Sequence, residues 1–435
     1  MSQSESLRIA NGRLLDPLSG QDSRQSLLIR DDRIAAIGAE ADAAPADRVL
    51  DAAGGLITPG FIDLYCNLRE PGNGQKGSIA SETHAAARGG YTTVCAAPDS
   101  SPVNDSSAIA HLIRDVAERD APIRVLPLGA ATKGLNGELL SDMVGLTQAG
   151  CVALSNGPAP LANARILRRC MAYAQTFGIT LMLQPQNEML AADGFAHDGL
   201  ITAQLGLLGI PEVAETTAVM EMILLAEETG VRLHLSQLSA ARSVDMVAQA
   251  RQRGVPVTAD VAMHHLVFTE QALAGFDSRY HVQPPLRSEE DRQGLIEGVR
   301  SGAISAIVSQ HQPQDPAAKN APLGDTEPGL SSIESVLSLG LMLVERGELE
   351  LQSLIRALTS GPAQVLGRPA PSLASGELAD LCWIDPDARW TATPETLRSV
   401  GKHAPLMDTP LPGRVNRVWM AGREAYSREP GFGAG

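Results

Sequence analysis

The run Thr58-Pro59-Gly60-Phe61-Ile62-Asp63-Leu64-Tyr65-Cys66-Asn67-Leu68-Arg69-Glu70-Pro71-Gly72 reads as a buried strand leading into a loop that carries polar side chains. Side chains alternate along a strand, so Tyr65 and Asn67 share one face and Cys66 takes the other. The chemistry on offer at this strand end is hydrogen bonding rather than metal binding. Zinc needs imidazole, thiolate or carboxylate donors. Tyr65 could ligate only as phenolate, with an ordinary pKa of about 10, and an amide oxygen such as that of Asn67 is a poor zinc donor.

The other residues with reactive side chains are dispersed. His264-His265, His311, His234 and Cys66 would have to converge to make a metal site, because zinc needs several donors at once. His234 precedes Gln237 by three and falls on the opposite strand face, where a packed, hydrogen-bonded core histidine is expected. Lys133, in Thr132-Lys133-Gly134, reads as a loop lysine. Gly134-Leu135-Asn136-Gly137 is turn chemistry rather than a phosphate loop.

The elements that must position these groups alternate. Apolar or β-branched runs occur near 55–65, 92–98, 123–130, 152–156, 180–185, 232–238, 255–263 and 303–309. Segments with helical spacing follow, among them 79–88, 109–117, 166–177, 213–228, 244–251 and 333–344. Several close on glycine (Gly89-Gly90, Gly150, Gly178, Gly230, Gly254), the residue that takes a left-handed helix end without strain. Eight such units predict an α/β fold, a closed parallel (β/α)8 TIM-like barrel. The rival is an open doubly wound sheet, which lacks support because no Gly-x-Gly-x-x-Gly turn follows the first strand. Residues 7–54 and 376–427 carry short alternating strands instead, and all three tryptophans (Trp383, Trp390, Trp419) lie in the second of these. The expected division is 1–56 and 366–435 as one small flanking β domain and 57–365 as the barrel. The helix spanning 335–344 is unusually apolar, which suits packing on the sheet or a subunit contact.

Composition narrows the function. The 435-residue chain is long enough for a large core and a smaller domain. Its net charge of −15 argues against nucleic-acid binding. The polar start Met1-Ser2-Gln3-Ser4-Glu5-Ser6 lacks the pattern of a signal peptide, and no window has the apolar length of a membrane span. Five scattered cysteines without a CxxC pair read as reduced thiols, hence a cytoplasmic location.

Longer segments carry a resemblance. Leu68-Arg69-Glu70-Pro71-Gly72, Ala86-Ala87-Arg88-Gly89-Gly90-Tyr91-Thr92-Thr93-Val94, Pro284-Pro285-Leu286-Arg287, the stretch 257–266 and Gly361-Pro362-Ala363-Gln364-Val365-Leu366-Gly367 resemble dihydroorotase, a zinc amidohydrolase of pyrimidine synthesis. The likeness spans nearly the whole chain and implies where a site should be. The two strand-one histidines of the family fall on Tyr65 and Asn67. Its metal-bridging acid falls on Asn156, its next two histidines on Gln184 and Gln237, and its catalytic aspartate on Gln310. Arg69 stands at the carboxylate clamp, while Asp99 and Gln283 occupy the pocket asparagine positions. Asp99 would repel a carboxylate and could pair with Arg69. With no metal ligand and no general base, the expectation is a non-enzyme with no cofactor, its old cavity filled by a neutral hydrogen-bond network. The resemblance then implies a non-catalytic subunit that assembles with the aspartate carbamoyltransferase catalytic chain as a hetero-oligomer, with a homodimer as the form it takes alone. Alternatives are a cyclic-amide hydrolase with a non-standard metal site and a small-molecule-binding regulatory protein.

Overall fold

The computed structural model describes residues 6–428; the polar start at 1–5 and the segment 429–435 lie outside the described residues. Eight parallel strands form the larger sheet: β6 (Phe61–Cys66), β7 (Tyr91–Ala96), β8 (Arg124–Ala130), β9 (Ala153–Ser155), β10 (Leu181–Leu183), β13 (Leu233–Leu235), β14 (Val257–Ala262) and β15 (Ala306–Val308). They pair in that order, and β15 returns to β6 through a parallel bridge between Cys66 and His311. This closes the barrel, so the open-sheet alternative is excluded. Seven of the eight apolar runs read from the sequence each cover one barrel strand, and the first, 55–65, covers β5 of the other sheet as well as β6.

The second sheet is built from both ends of the chain: β1 (Leu7–Asp16), β2 (Gln21–Arg30), β3 (Arg33–Ile37), β4 (Arg48–Asp51) and β5 (Leu56–Pro59), then β16 (Leu381–Thr391), β17 (Pro410–Met420) and β18 (Arg423–Ser427). β5 joins the halves, pairing with β1 on one side and β16 on the other. Only Gly60 separates β5 from β6, so the two bodies are joined where the first barrel strand begins. An insertion between β10 and β13, holding the two-residue strands β11 (Ala196–His197) and β12 (Gly209–Ile210), escapes a reading by periodicity because its strands are too short to show one.

The barrel has two cores. Inside it, Leu64, Tyr65, Cys95, Leu128, Met182, Ala262 and Val308 pack together. Outside, the alternate residues meet the helices, and Cys66 lies there among Ile79, Ala86 and Ile333. Leu64 and Tyr65 both lie inside and Cys66 outside, so strict alternation is interrupted at the register shift of β6 against β7 between Asp63 and Cys66. Helix Ile79–Arg88 starts on a capping box of Ser78 and Ser81. It ends before Gly90, whose φ of 99° leads into β7 against Phe61. Helix Val336–Glu345 is almost wholly buried and packs on β17, with Trp390 donating to Ser338 Oγ at 2.9 Å, so its apolar face is used within the chain. No helix among the described residues is long and apolar enough to cross a membrane.

Buried charge holds the closing seam. The Asp63 carboxylate accepts the Ser309 backbone N–H at 2.9 Å and the Ser309 hydroxyl, tying β6 to the end of β15. His311 Nε2 meets Glu82 Oε2 at 2.7 Å, tying the same segment to the first barrel helix. Burial raises the Glu82 pKa, but the His311 hydrogen bond and charge outweigh it and leave the carboxyl below its ordinary range. Asp63 goes the other way: burial pushes it up to about 7 in spite of the Ser309 hydrogen bonds. The native state therefore holds this proton over a range where the unfolded chain has lost it. The associated stability is complete below an unfolded pKa of about 4 and disappears as pH rises through about 7. Asn at 63 can accept from the Ser309 N–H and donate to its hydroxyl without titrating. Urea unfolding of wild type and Asp63→Asn at pH 5 and pH 7 should show the variant losing about 2–3 kcal/mol less across that interval; equal losses would contradict this account of the seam.

Candidate functional site

The C-terminal ends of the barrel strands bring the sequence-identified residues to one mouth. Tyr65 ends the interior face of β6, and Asn67 follows it. Asn156 follows β9, Gln184 follows β10, Gln237 follows β13 and Gln310 follows β15. Tyr65, Asn67, Asn156, Gln237 and Gln310 are buried, whereas Arg69, Asp99, Gln184 and Gln283 are half-buried and lie nearer solvent.

Three hydrogen-bonded groups organise this mouth. Gln310 Nε2 donates to Gln237 Oε1 at 2.6 Å and to the Gln283 carbonyl at 2.7 Å. Gln237 is anchored by its own backbone N–H, which donates to Asp260 Oδ1 at 2.6 Å. Asp260 in turn meets His234 Nε2 at 2.8 Å, and His234 Nδ1 meets Thr258, so His234 is the packed core histidine expected from its strand face. The second group is Asn67, whose Nδ2 donates to both oxygens of Asp99 at 2.6 and 2.7 Å. The third is Asn156, which turns toward its own loop: its Oδ1 accepts from Thr132 at 2.6 Å and its Nδ2 donates to the Ala159 carbonyl. Gln283 reaches Gln186 only weakly, at 3.4 Å.

Arg69 and Asp99 do not form the expected hydrogen-bonded pair. Arg69 Nε donates to the Pro313 carbonyl at 3.0 Å, and Asn67 takes the partner's place on Asp99. Burial raises the Asp99 pKa, while the Arg69 charge and the Asn67 hydrogen bond partly restrain it. Tyr65 is pushed well above its ordinary pKa, first by burial and then by the Asp99 charge, so phenolate ligation is disfavoured further. Lys133 is exposed. His264 and His265 are buried neighbours, and burial drives the His264 pKa well below the ordinary value, with His265 adding to the effect.

Sequence reasoning missed the backbone. Arg69, Gln237 and Gln310 are non-glycine residues with φ of 63°, 59° and 48°. The left-handed region is unfavourable for residues with a Cβ. It also missed Asp63, Glu82 and Asp260, because each acts on a partner far away in the chain, and alternation reports a face, never a partner.

The fold and this mouth define a closed (β/α)8 barrel with polar side chains gathered at the C-terminal ends of its strands. L-hydantoinase (dihydropyrimidinase) from Arthrobacter aurescens superimposes with a TM-score of 0.87 at 22% identity, covering 98% of this chain and 96% of that one, a likeness of fold. A family described as Dihydro-orotase-like matches residues 54–243. The Dihydroorotase-like protein of Pseudomonas aeruginosa is 47% identical over 96% of this chain and 98% of its own. The Dihydroorotase of Syntrophotalea carbinolica is 40% identical over 96% and 98%. The chain belongs to the dihydroorotase-like family.

These comparisons correct one expectation. The reading as a non-enzyme fails against relatives of this similarity that are named Dihydroorotase. Its physical flaw was to equate loss of one catalytic device with loss of all chemistry. The family's zinc, however, does not fit the residues present. Neutral amides and a high-pKa phenol occupy the positions of the ligands, and among the described residues no three His, Cys, Asp or Glu side chains converge where an ion could be held. The Gln310 bridge is therefore the organising contact. Gln310→Ala, which leaves Gln237 Oε1 and the Gln283 carbonyl without this donor, should cost about 1–3 kcal/mol in urea unfolding. Lys133→Ala should cost less than about 0.5 kcal/mol; equal costs would remove the bridge from its assigned role.

Proposed function

We propose that this chain is a cyclic-amide hydrolase of the dihydroorotase type that works with hydrogen-bonding groups and the Asp99 carboxyl instead of a metal cluster. The observation that carries the reading is the left-handed backbone of Arg69, Gln237 and Gln310, which gathers at one barrel mouth. Each such residue costs on the order of 1–3 kcal/mol, and strain of this kind collects at functional sites. The relatives named Dihydroorotase support the reaction class. In ring opening, the oxygen of water bonds to the amide carbon, the C–N bond breaks, and the released nitrogen takes a proton. Asp99 is the carboxyl group placed to carry that proton. It is half-buried, its pKa is raised by burial, and Asn67 orients both of its oxygens. A base nearer neutrality transfers protons more effectively than an ordinary aspartate.

The test is turnover of dihydroorotate, in both directions, by purified full-length chain with a chelator present. Wild type should turn over, and Asp99→Asn should fall by at least about a hundredfold. Absence of wild-type turnover, or full activity in the variant, would contradict the proposal.

Exposed apolar side chains favour a second and independent element. Val213, Met220 and Leu224 lie on one face of helix Glu212–Thr229, and Met189, Leu200 and Leu208 are exposed in the segment before it. Exposed apolar side chains that share a helix face, as Val213, Met220 and Leu224 do, are candidates for an interaction surface. We propose that this face serves assembly with the aspartate carbamoyltransferase catalytic chain. Tagged wild type should retain that chain on purification, whereas Met220→Glu with Leu224→Glu should release it; retention by the double variant would exclude this face.

A further inference from the structure

We infer that a cleft at the opposite end of the barrel from the mouth binds a multiply charged phosphate-type anion, at a site independent of the cyclic-amide reading above. The cleft has a volume of about 640 Å³, within the usual range for small-molecule sites. Ser305 lines it and immediately precedes β15, which places it at the N-terminal ends of the barrel strands. Leu18, from the turn between β1 and β2, lines it too, so the barrel and the flanking sheet both contribute.

The first argument is charge. Arg251, Arg356 and Arg368 line the cleft, and no Asp or Glu does. None of the three makes an ion pair among the described residues. The chain carries 50 acidic residues against 35 lysines and arginines, so a group of cations with no acid beside it runs against the composition. Elsewhere arginines meet carboxylates, as Arg88 meets Glu334 and Arg292 meets Glu289 and Glu348. Glu377 and Asp380 line the adjoining pocket, where Arg124 already pairs with Asp380 at 2.9 Å.

The second argument is what the fold leaves unused. Arg251 Nη1 donates to the Gly302 carbonyl at 2.6 Å and to that of Ala303 at 3.3 Å, and Arg356 Nη2 donates to the Val299 carbonyl at 2.8 Å. These contacts serve the C-terminal end of helix Glu289–Ser301, where carbonyls lack helical partners. They satisfy donors without neutralising charge. Nε and Nη2 of Arg251, Nε and Nη1 of Arg356 and the whole Arg368 guanidinium keep no hydrogen bond among the described residues. The lining hydroxyls of Ser305 and Ser360 have none either. A guanidinium fork matches phosphate oxygens in pairs. Three forks exceed what a single phosphate needs, which assigns an anion with several phosphoryl groups.

The test is isothermal titration calorimetry of the full chain with sodium tripolyphosphate, with orthophosphate and a short polyglutamate peptide in parallel, at about 0.15 M salt. Wild type should bind tripolyphosphate at least about tenfold more tightly than orthophosphate. Arg368→Gln, at an exposed side chain with no hydrogen bond to lose, should weaken tripolyphosphate at least about fivefold. Adding Arg356→Gln should weaken it further. Arg389→Gln, which makes the same change in charge outside the cleft, should leave the affinity unchanged. Absence of tripolyphosphate binding by wild type, undiminished affinity in Arg368→Gln, an equal loss in Arg389→Gln, or tighter binding of the peptide would each overturn the inference. The Arg368→Gln comparison decides the matter even where the double variant folds poorly.

Discussion

The seam between the first and last barrel strands governs the rest of the molecule. Cys66 and His311 bridge there, and Asn67 N–H donates to the His311 carbonyl at 2.9 Å. Asp63 and Glu82 supply the buried carboxylates that hold Ser309 and His311 in place. Tyr65, Asn67 and Gln310 are neighbours in sequence of these seam residues, so closing the barrel and composing its mouth are one structural event. A carboxylate buried without compensation would open the seam; each here has a hydrogen-bonded partner, as buried charge requires.

Chemistry at the mouth follows from what amides can do. Asn and Gln each bring two donors and an acceptor that never titrate. They satisfy one another, as Gln310 and Gln237 do, and they hold a carboxylate, as Asn67 holds Asp99. They do not gather a divalent ion. The site thus contrasts with the metal-dependent arrangement implied by the family resemblance while keeping the same strand ends. It retains one titratable acid, Asp99, and one permanent cation, Arg69, at its half-exposed edge.

Much of this was legible in the chain. The eight barrel strands emerge from apolar runs between helical segments, because a parallel sheet buried on both faces leaves such runs. The opposite faces of Tyr65 and Cys66 were expected from alternation, although the register shift that also turns Leu64 inward was not, and the poverty of zinc donors comes from residue type. Less was legible where partners are remote. The contacts of Ser309 with Asp63, and of His311 with Glu82, join residues 246 and 229 positions apart in the chain, and no local pattern announces them. Asp99 was expected against Arg69, yet Asn67 holds it, since residue types permit both pairings and only the loop geometry chooses. The expectation of a non-enzyme went furthest astray. Missing ligands exclude a zinc-bound hydroxide; they say nothing of a carboxyl group whose burial is invisible in sequence.

Zinc-edge anomalous scattering from crystals grown with zinc tests the central claim most directly. The account predicts no ordered peak among Tyr65, Asn67, Asn156, Gln184, Gln237 and Gln310. A peak held by two or more of these side chains at about 2.0–2.3 Å would contradict it.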